Sequence, residues 1–332
     1  MAEGEEVKMV FPKIYRQDEV DAFLKVTKGR RINLLLGVGS GGNTLDCFAL
    51  GFPDTMVLFD PCWANEDRMA SELKFLEKIR DKRTKLDFKE DNSQFLKVEF
   101  LFDKKVKTVY YYKIKYDPGL LGKFKPDVFH MGHAVIGDSP GYVQFEPTVL
   151  ETVFLLPKGT IILNIDGGPT RYSFSLLVYA HYFLDVVCTY EAESPVLGRH
   201  PVFIYRKTRD IDEKENVLVY KFVRALNELS HLLSNKGIYA KEGELIEKRK
   251  DMIVKLKQEA LEKGVPYEEP RVVKRQRKYK KSLIELPKRL EALWSAFSPA
   301  QQKKLLNVIS NLKSLHANIR YVEEALKIAG LR

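Results

Sequence analysis

The spacing of hydrophobic residues divides the chain into two parts. Up to about residue 210, short apolar runs typical of buried strands alternate with segments whose apolar residues recur every three or four positions, as on one face of a helix. Beyond that point the strand-like runs end. Strands that alternate with helices favour a mainly parallel sheet covered on both faces. We therefore predict an α/β domain over residues 1–210 and a helical region over residues 211–332.

The strands expected in the first part are short apolar runs that end at glycine or acidic residues. A pattern of alternating residues over 98–116 indicates an antiparallel hairpin. A second hairpin, over residues 185–207, is expected to close the sheet. The predicted strands are 32–36, 56–59, 85–89, 127–135, 160–165, 185–190 and 201–207, with helices at 17–27, 44–50, 66–80, 147–155 and 172–182.

The second part is expected to contain three helices, at residues 216–235, 244–263 and from Ser298 to about residue 326. The last of these keeps one face apolar over its whole length, with Leu305 and Leu326 near its ends. Such a face must be buried on the body of the protein, on neighbouring helices or on another chain. We favour packing within the protein, and keep a protein partner on this last helix as the alternative.

Four glycines follow the first predicted strand and precede a helix, in the sequence NLLLGVGSGGNT. Glycine lets the backbone approach a ligand closely, and the start of the next helix supplies free N–H groups. Asp60 ends the next strand 23 residues after Gly37, near the offset expected for a carboxylate that binds a ribose. The alternative is a tight turn without a ligand, with Asp60 capping a loop. The glycines concerned are Gly37, Gly39, Gly41 and Gly42.

This order of elements resembles class I S-adenosylmethionine-dependent methyltransferases, with a glycine loop after the first strand, acids after the second and third, and a reversed final hairpin. The resemblance covers residues 15–208 and implies a Rossmann-like doubly wound sheet with a terminal antiparallel hairpin. It also implies that S-adenosylmethionine is the cofactor, held by the four glycines and Asp60, with Glu90 or Asp91 facing the adenine. The chain departs from the family at Leu35, where an acid normally precedes the glycine loop.

A basic end on such a domain is similar to RNA ribose methyltransferases of the FtsJ and viral cap type, which use a Lys-Asp-Lys-Glu tetrad. A lysine there lowers the pKa of a ribose hydroxyl, and carboxylates hold the lysine. In this chain the second lysine position is Asn164, the aspartate position is Gly132, and the glutamate falls at His200 or Pro201. Ribose methylation by that tetrad is therefore not expected.

Methylation of a ring nitrogen, as in a capped guanine of messenger RNA, needs mainly alignment and desolvation. The segment HMGHAVIGDSPGY, where the family places its substrate-facing loop, offers His130, His133 and Asp138 as candidate catalytic residues. Along a strand the two histidines point to opposite faces, so we expect no metal site. The alternative is that one histidine packs in the strand and the other caps the loop.

The net charge of +10 is concentrated at the end of the chain. Residues 1–210 hold 29 cationic and 29 acidic side chains, whereas residues 271–332 hold 15 and 4. Cationic runs attract phosphate backbones by releasing condensed counterions. We therefore predict contact with RNA or another polyanion, while a solvated linker or a localisation signal is the alternative. The predicted contacts are Arg271, Lys274, Arg275, Arg277, Lys278, Tyr279, Lys280 and Lys281.

Other classes fit less well. No apolar run approaches the roughly 20 residues needed to cross a bilayer, so we expect no membrane insertion. Three widely spaced cysteines argue against a disulfide framework, and we expect an intracellular protein, cytoplasmic or nuclear. No nucleophile-elbow motif occurs. Two functions remain, an RNA methyltransferase and a non-catalytic relative that binds RNA or acts as a scaffold; a dinucleotide-dependent oxidoreductase is disfavoured by the reversed hairpin.

Overall fold

A computed structural model describes residues 17–38, 53–131, 148, 150–163, 174–194, 198–312 and 319–332. The chain divides into two compact units, Met1–Glu213 and Lys214–Arg332. The division lies three residues after the boundary expected from the hydrophobic pattern. Each unit has its own set of buried apolar side chains.

The first unit is built on one mixed sheet of nine strands. They lie in the order β3-β4-β5-β2-β1-β6-β7-β9-β8. Five adjacent strands are parallel to one another, namely β5, β2, β1, β6 and β7. Strand β9 runs antiparallel to β7. The fold is therefore the expected Rossmann-like α/β class with a terminal antiparallel hairpin. The strands are β1 (Leu34–Val38), β2 (Thr55–Phe59), β3 (Asp87–Asp91), β4 (Phe95–Phe102), β5 (Lys105–Tyr112), β6 (Val128–Met131), β7 (Ile161–Leu163), β8 (Asp185–Ser194) and β9 (Gly198–Arg206).

Three described helices belong to this unit, α1 (Gln17–Thr27), α2 (Glu66–Ile79) and α3 (Phe174–Phe183). The central strands are apolar on both faces, as expected where a parallel sheet is covered on both sides. Helix α2 begins where Asn65 Oδ1 accepts a hydrogen bond from Arg68 N, and its first turn is acidic. These features match the usual preferences of a helix start.

The strand predicted at residues 85–89 is present, shifted by two residues, but it does not lie beside β2 as the family order implied. The strand beside β2 is β5, and the predicted segment forms β3 at the edge of the sheet, antiparallel to β4. The alternating pattern of β4 and β5 did indicate the hairpin between them. It did not reveal that the second strand of that hairpin lies parallel to β2, because a period of two is common to parallel and antiparallel strands.

At the amino ends of these strands, Asp54 links three separate segments of the chain. Its Oδ2 accepts a hydrogen bond from Arg31 Nε at 2.7 Å, and its Oδ1 accepts one from Lys107 Nζ at 2.9 Å. Burial acts to raise the pKa of Asp54, but the hydrogen bonds from Lys107 and Arg31 outweigh it and hold the pKa below its usual value. The Lys107 side chain is only 6% exposed, so Asp54 places a carboxylate beside a nearly buried ammonium group.

Substitution Asp54→Asn is expected to lower the free energy of unfolding by about 2 kcal/mol at pH 7, because it leaves the charge of Lys107 buried without its carboxylate. The folded-state pKa of Asp54 is depressed, so its contribution is present above its ordinary value of 3.8 and is lost as the pH falls through the folded value. Urea unfolding at several pH values tests this. A difference from the wild type that stayed constant into the acid range would contradict it.

The second unit is helical, with α4 (Glu213–Ser234), α5 (Lys236–Lys248), α6 (Lys250–Glu262), α7 (Arg271–Ser295), α8 (Pro299–Asn311) and α9 (Ile319–Ile328). Phe222 of α4 is fully buried and contacts the rings of Trp294 and Phe297 at centroid distances of 5.5 and 5.6 Å. Helix α8 begins with a capping box between Ser298 and Gln301. Within the described residues no helix has the length and apolar character that spanning a membrane requires.

The helix limits in this unit differ from the predicted ones. The predicted helix at 244–263 is two helices that meet at Arg249, and the predicted last helix is α8 and α9. The basic run begins a helix of 25 residues, α7, which contains Pro287. The described members of the last apolar stripe are buried within the chain, as expected for packing inside the protein; they are Leu305, Ile309, Leu312, Val322 and Leu326. A protein partner on this last helix stays a prediction.

Candidate functional site

The order of the strands reverses at β1. From β1 the chain continues to β2 and β5 on one side, and then returns to β6 on the other. In open α/β sheets, ligands bind outside the carboxyl ends of the strands at such a reversal. The candidate site is therefore the edge where β1, β2 and β6 end.

Two of the predicted residues lie side by side at this edge. Gly37 of β1 is paired in register with His130 of β6, and each is one residue from the end of its strand. His130 is 1% exposed, so it belongs to the sheet and not to a solvated loop. The other members of the predicted glycine loop and catalytic segment, Gly39, Gly41, Gly42, His133 and Asp138, lie outside the described residues.

Asp60 follows β2 at the same edge and is 4% exposed. Its Oδ1 accepts a hydrogen bond from Cys62 N at 2.8 Å and so caps a short 3-10 turn, Pro61–Ala64. Its Oδ2 lies 3.6 Å from the guanidinium of Arg68. Hydrogen bonding with Asp60 and its negative charge together raise the pKa of the Cys62 thiol. Asp60 thus caps a loop, as the alternative to ligand binding expected, but the capping hydrogen bond uses only one of its two carboxylate oxygens.

Arg68 was not singled out from the sequence. Its guanidinium carbon lies 4.7 Å from the ring centre of Trp63, which is 1% exposed and packs edge-on against Tyr111. This aromatic support holds a cation beside the buried carboxylate of Asp60. The signal available in the sequence was the helix start EDRM directly after Asp60, but neither the turn geometry nor the position of Trp63 follows from it.

Glu90 and Asp91 do not lie near Asp60. They occupy β3, three strand positions from β2, which corresponds to roughly 14 Å across a sheet. Both are exposed; Asp91 forms an ion pair with Lys113 at 2.7 Å. The residue that follows the strand beside β2 is Lys113, so the strand-order argument for an adenine contact at Glu90 or Asp91 was wrong.

Aromatic rings line the sheet beside the candidate site. Tyr112, the last residue of β5, stacks on Phe59 at 4.5 Å between ring centres and on Phe95 at 5.1 Å. All three occupy matched positions on neighbouring strands. Burial raises the pKa of Tyr112. This stack gives the edge next to Asp60 an apolar wall.

Two further positions from the tetrad comparison, His200 and Pro201, lie near the start of β9. Because β9 is reversed, its first residues are at the same edge as the ends of the parallel strands. Asn164 and Gly132 are outside the described residues. Leu35 is fully buried in β1, where the resembling family has an acid. Among the described residues, no group of three or more His, Cys, Asp or Glu is arranged to hold a metal ion.

A second candidate surface is the first half of α7. The seven cations predicted to contact nucleic acid are all exposed. Six of them form two sets of three, and Lys280 belongs to neither. Arg275 pairs with Glu242, Arg277 with Glu269, and Lys281 with Glu285. Arg271, Lys274 and Lys278 are spaced by three and four residues, which places them on one helix face. We call these last three residues the basic ridge.

Tyr279 of α7 does not share the helix face of the basic ridge. Its ring stacks on Tyr239 of α5, with 3.9 Å between the ring centres and 13° between the planes. Burial, with a smaller contribution from Tyr239, raises the pKa of Tyr279. A Cβ on Gly243 would lie 2.8 Å from Gln276 Nε2, which donates a hydrogen bond to Tyr239 O. One face of the predicted stacking residue is therefore covered by its own unit.

No protein-family model matches the sequence, and no curated protein matches it. Among solved structures, the chain is similar to a candidate tRNA (m1A22) methyltransferase from Streptococcus pneumoniae, with 9% identity and a TM-score of 0.32. That alignment covers 94% of this chain and 100% of the other. A likeness at this level carries no argument about function. The assignment therefore depends on the topology and the side chains of the chain itself, which show a Rossmann-like sheet with a reversed strand at its closing edge.

Proposed function

We propose that the α/β unit binds S-adenosylmethionine at the carboxyl ends of β1 and β2 and transfers its methyl group to RNA. The observation that carries the proposal is the position of Gly37, His130 and Asp60 at the edge where the strand order changes direction. The same sheet ends in a hairpin of which one strand, β9, is antiparallel to the central strands. A ring nitrogen, as in a capped guanine, is the acceptor favoured by the absence of the ribose-methylating tetrad.

The carboxylate of Asp60 fits the hydroxyl groups of a ribose. Its Oδ1 accepts one N–H bond, the Cys62 thiol also bonds to the carboxylate, and its Oδ2 is 3.6 Å from Arg68, longer than a direct hydrogen bond. A carboxylate has about four acceptor positions, so Asp60 retains capacity to accept hydrogen bonds in a buried setting, where such bonds are strong. When bound, the cofactor supplies an electrophilic methyl group on a sulfonium.

The other residues have simpler roles in this proposal. Gly37 lets the backbone at the end of β1 approach the ligand, because it has no Cβ. His130, one strand away, would contact the acceptor or orient the neighbouring loop. Tyr112 and Phe59 form an apolar wall that excludes water beside Asp60. Alignment and desolvation of this kind are what transfer to a ring nitrogen requires.

The cations of the helical unit supply the contact with RNA. Nothing acidic occurs among residues 271–281, and the basic ridge is exposed on a helix with no ion pair to its three side chains among the described residues. Exposed cations at helical spacing suit successive phosphates of a nucleic-acid strand.

Substitution Asp60→Asn is expected to weaken S-adenosylmethionine binding by about tenfold or more, since one charge-assisted hydrogen bond contributes about 1.5–3 kcal/mol. Isothermal titration calorimetry with the cofactor and its demethylated product measures this. Asp117→Asn is the matched control, because Asp117 caps an equivalent 3-10 turn by accepting from Gly119 N but is exposed. Absence of binding by the wild type at sub-millimolar cofactor would refute the catalytic proposal.

The second candidate function is a non-catalytic relative that binds RNA. It is favoured by Leu35, which is buried where the resembling family has an acid, and by the contacts that Asp60 already makes with Cys62 and Arg68. RNA binding that persists in a protein unable to bind either cofactor form would select this function over the first.

A further inference from the structure

The amino edge of the sheet carries a cavity on the side opposite the candidate cofactor site. It has a volume of about 250 Å³ and lies where β1, β2 and β5 begin. The residues that line it come from three separate segments of the first unit, 30–32, 54 and 102–107. They are Arg30, Arg31, Ile32, Asp54, Phe102, Asp103, Lys105 and Lys107.

The cavity has an excess of positive charge. Four cationic side chains and two carboxylates line it, which leaves a formal charge of +2. Asp54 is already shared by Arg31 and Lys107, and the bonds from these two hold its pKa low, so it stays ionised. Arg30 and Lys105 have no ion pair within the described part of the chain. Like charges gathered in this way favour an anion between them.

The elements around the cavity are held in place by backbone geometry. Gly29, with a φ of 77°, lets the chain turn sharply after α1 and directs Arg30 and Arg31 to the start of β1. The turn between β4 and β5 has Asp103 and Lys104 at positive φ, and both donate backbone hydrogen bonds to the carboxylate of Asp81. The cations are thus presented by rigid segments, which reduces the ordering cost of binding.

We propose that this cavity binds the dianion of a phosphate monoester. A phosphate monoester carries about two negative charges near neutral pH and offers three strong acceptor oxygens. It therefore matches both the formal charge and the donors of Arg30 and Lys105. Ile32 and Phe102 add apolar surface for the carbon atoms next to the phosphate.

The size of the cavity limits the ligand. Its volume corresponds to about eight waters in the liquid and lies just below the range of about 300–1,000 Å³ typical of small-molecule sites. A phosphate with a small organic group fits inside, whereas a dinucleotide does not. Two sources carry this chemistry, a small phosphorylated metabolite and the 5′-phosphate at the end of an RNA.

The test uses the double variant Arg30→Gln and Lys105→Gln in the full chain. Neither side chain forms an ion pair with a described residue, so the variant is expected to keep the fold, which circular dichroism checks. Calorimetric titration with inorganic phosphate and with ribose 5-phosphate is expected to show binding by the wild type and at least about a tenfold loss in the variant. Lys28→Gln, an exposed lysine near Arg30 that does not line the cavity, is the matched single-charge control.

A third arm separates the two sources. An oligoribonucleotide with a 5′-phosphate and the same strand with a 5′-hydroxyl are compared on the wild type and on the double variant. A preference for the phosphorylated strand that the double variant abolishes assigns the site to an RNA end. Binding of ribose 5-phosphate without that preference assigns it to a metabolite. The inference is overturned if the wild type binds neither phosphate probe, or if the double variant binds them as well as Lys28→Gln does. The cofactor titration tests Asp60 and the phosphate titration tests Arg30 and Lys105, so failure of one proposal does not imply failure of the other.

Discussion

Replacing Arg271, Lys274 and Lys278 by glutamine is expected to lower the affinity for single-stranded RNA by about 10- to 100-fold at low salt. Each lysine or arginine that neutralises a phosphate of a single strand adds about 0.7 to the slope of log affinity against log salt. Loss of three such contacts is therefore expected to reduce that slope by about 2. Fluorescence anisotropy with a labelled oligonucleotide, measured at several salt concentrations, provides both quantities.

The same helix supplies a control variant that loses the same number of positive charges. Arg275, Arg277 and Lys281 each form an ion pair with a glutamate of the second unit. Their replacement by glutamine removes three positive charges but leaves the basic ridge intact, so we expect an affinity change of no more than about threefold. Equal losses in the two triple variants would show that only net charge matters and would contradict a role for the ridge.

Substitution Phe222→Ala is expected to destabilise the helical unit by about 3–5 kcal/mol, because it removes a fully buried ring that contacts Trp294 and Phe297. The chain has two tryptophans, Trp63 in the first unit and Trp294 in the second. In a Trp63→Phe background, the fluorescence of Trp294 reports the unfolding of the helical unit in urea.

Ile284→Ala is the control for this measurement. Ile284 is 62% exposed on α7 of the same unit, so its loss is expected to change the free energy of unfolding by less than about 0.5 kcal/mol. If Phe222→Ala changed that free energy as little as Ile284→Ala, the ring cluster around Phe222 would not be the core of the helical unit.

The fold class followed from local patterns, and the third parallel strand did not. A short stretch of sequence is enough to recognise the apolar runs of β1 and β2 and the final hairpin. The residues that are buried in each of them follow one another along the chain. The choice between residues 85–89 and β5 as the neighbour of β2 depends on long-range pairing. Tyr110 pairs with Val57, 53 residues away, and no property of either segment alone specifies that contact.

The candidate site was predictable to a similar extent. Gly37 and Asp60 stand at sequence offsets that the family pattern describes, and the structure places both at the expected edge. Arg68 beside Asp60, and the shared carboxylate of Asp54, were not predicted. Arg68 meets Asp60 because of the turn between them, and Asp54 meets Arg31 and Lys107, which lie at or just before the starts of neighbouring strands. A pattern of hydrophobic positions contains no information about which charged side chains meet in that way.

The outermost strand, β3, has a consequence for the solution behaviour of the protein. Its five residues are all exposed, and its outer edge carries backbone groups that another strand could pair with. Four of the five are charged, and Lys89 pairs with Asp87 of its own strand and lies near Glu99 of β4. Charged side chains on an edge strand oppose its pairing with an edge strand of another molecule. Neutralising Asp87, Glu90 and Asp91 would therefore leave the exposed Phe88 on an edge open to self-association. The shelf life of concentrated protein would then depend on three carboxylates that belong to neither candidate site.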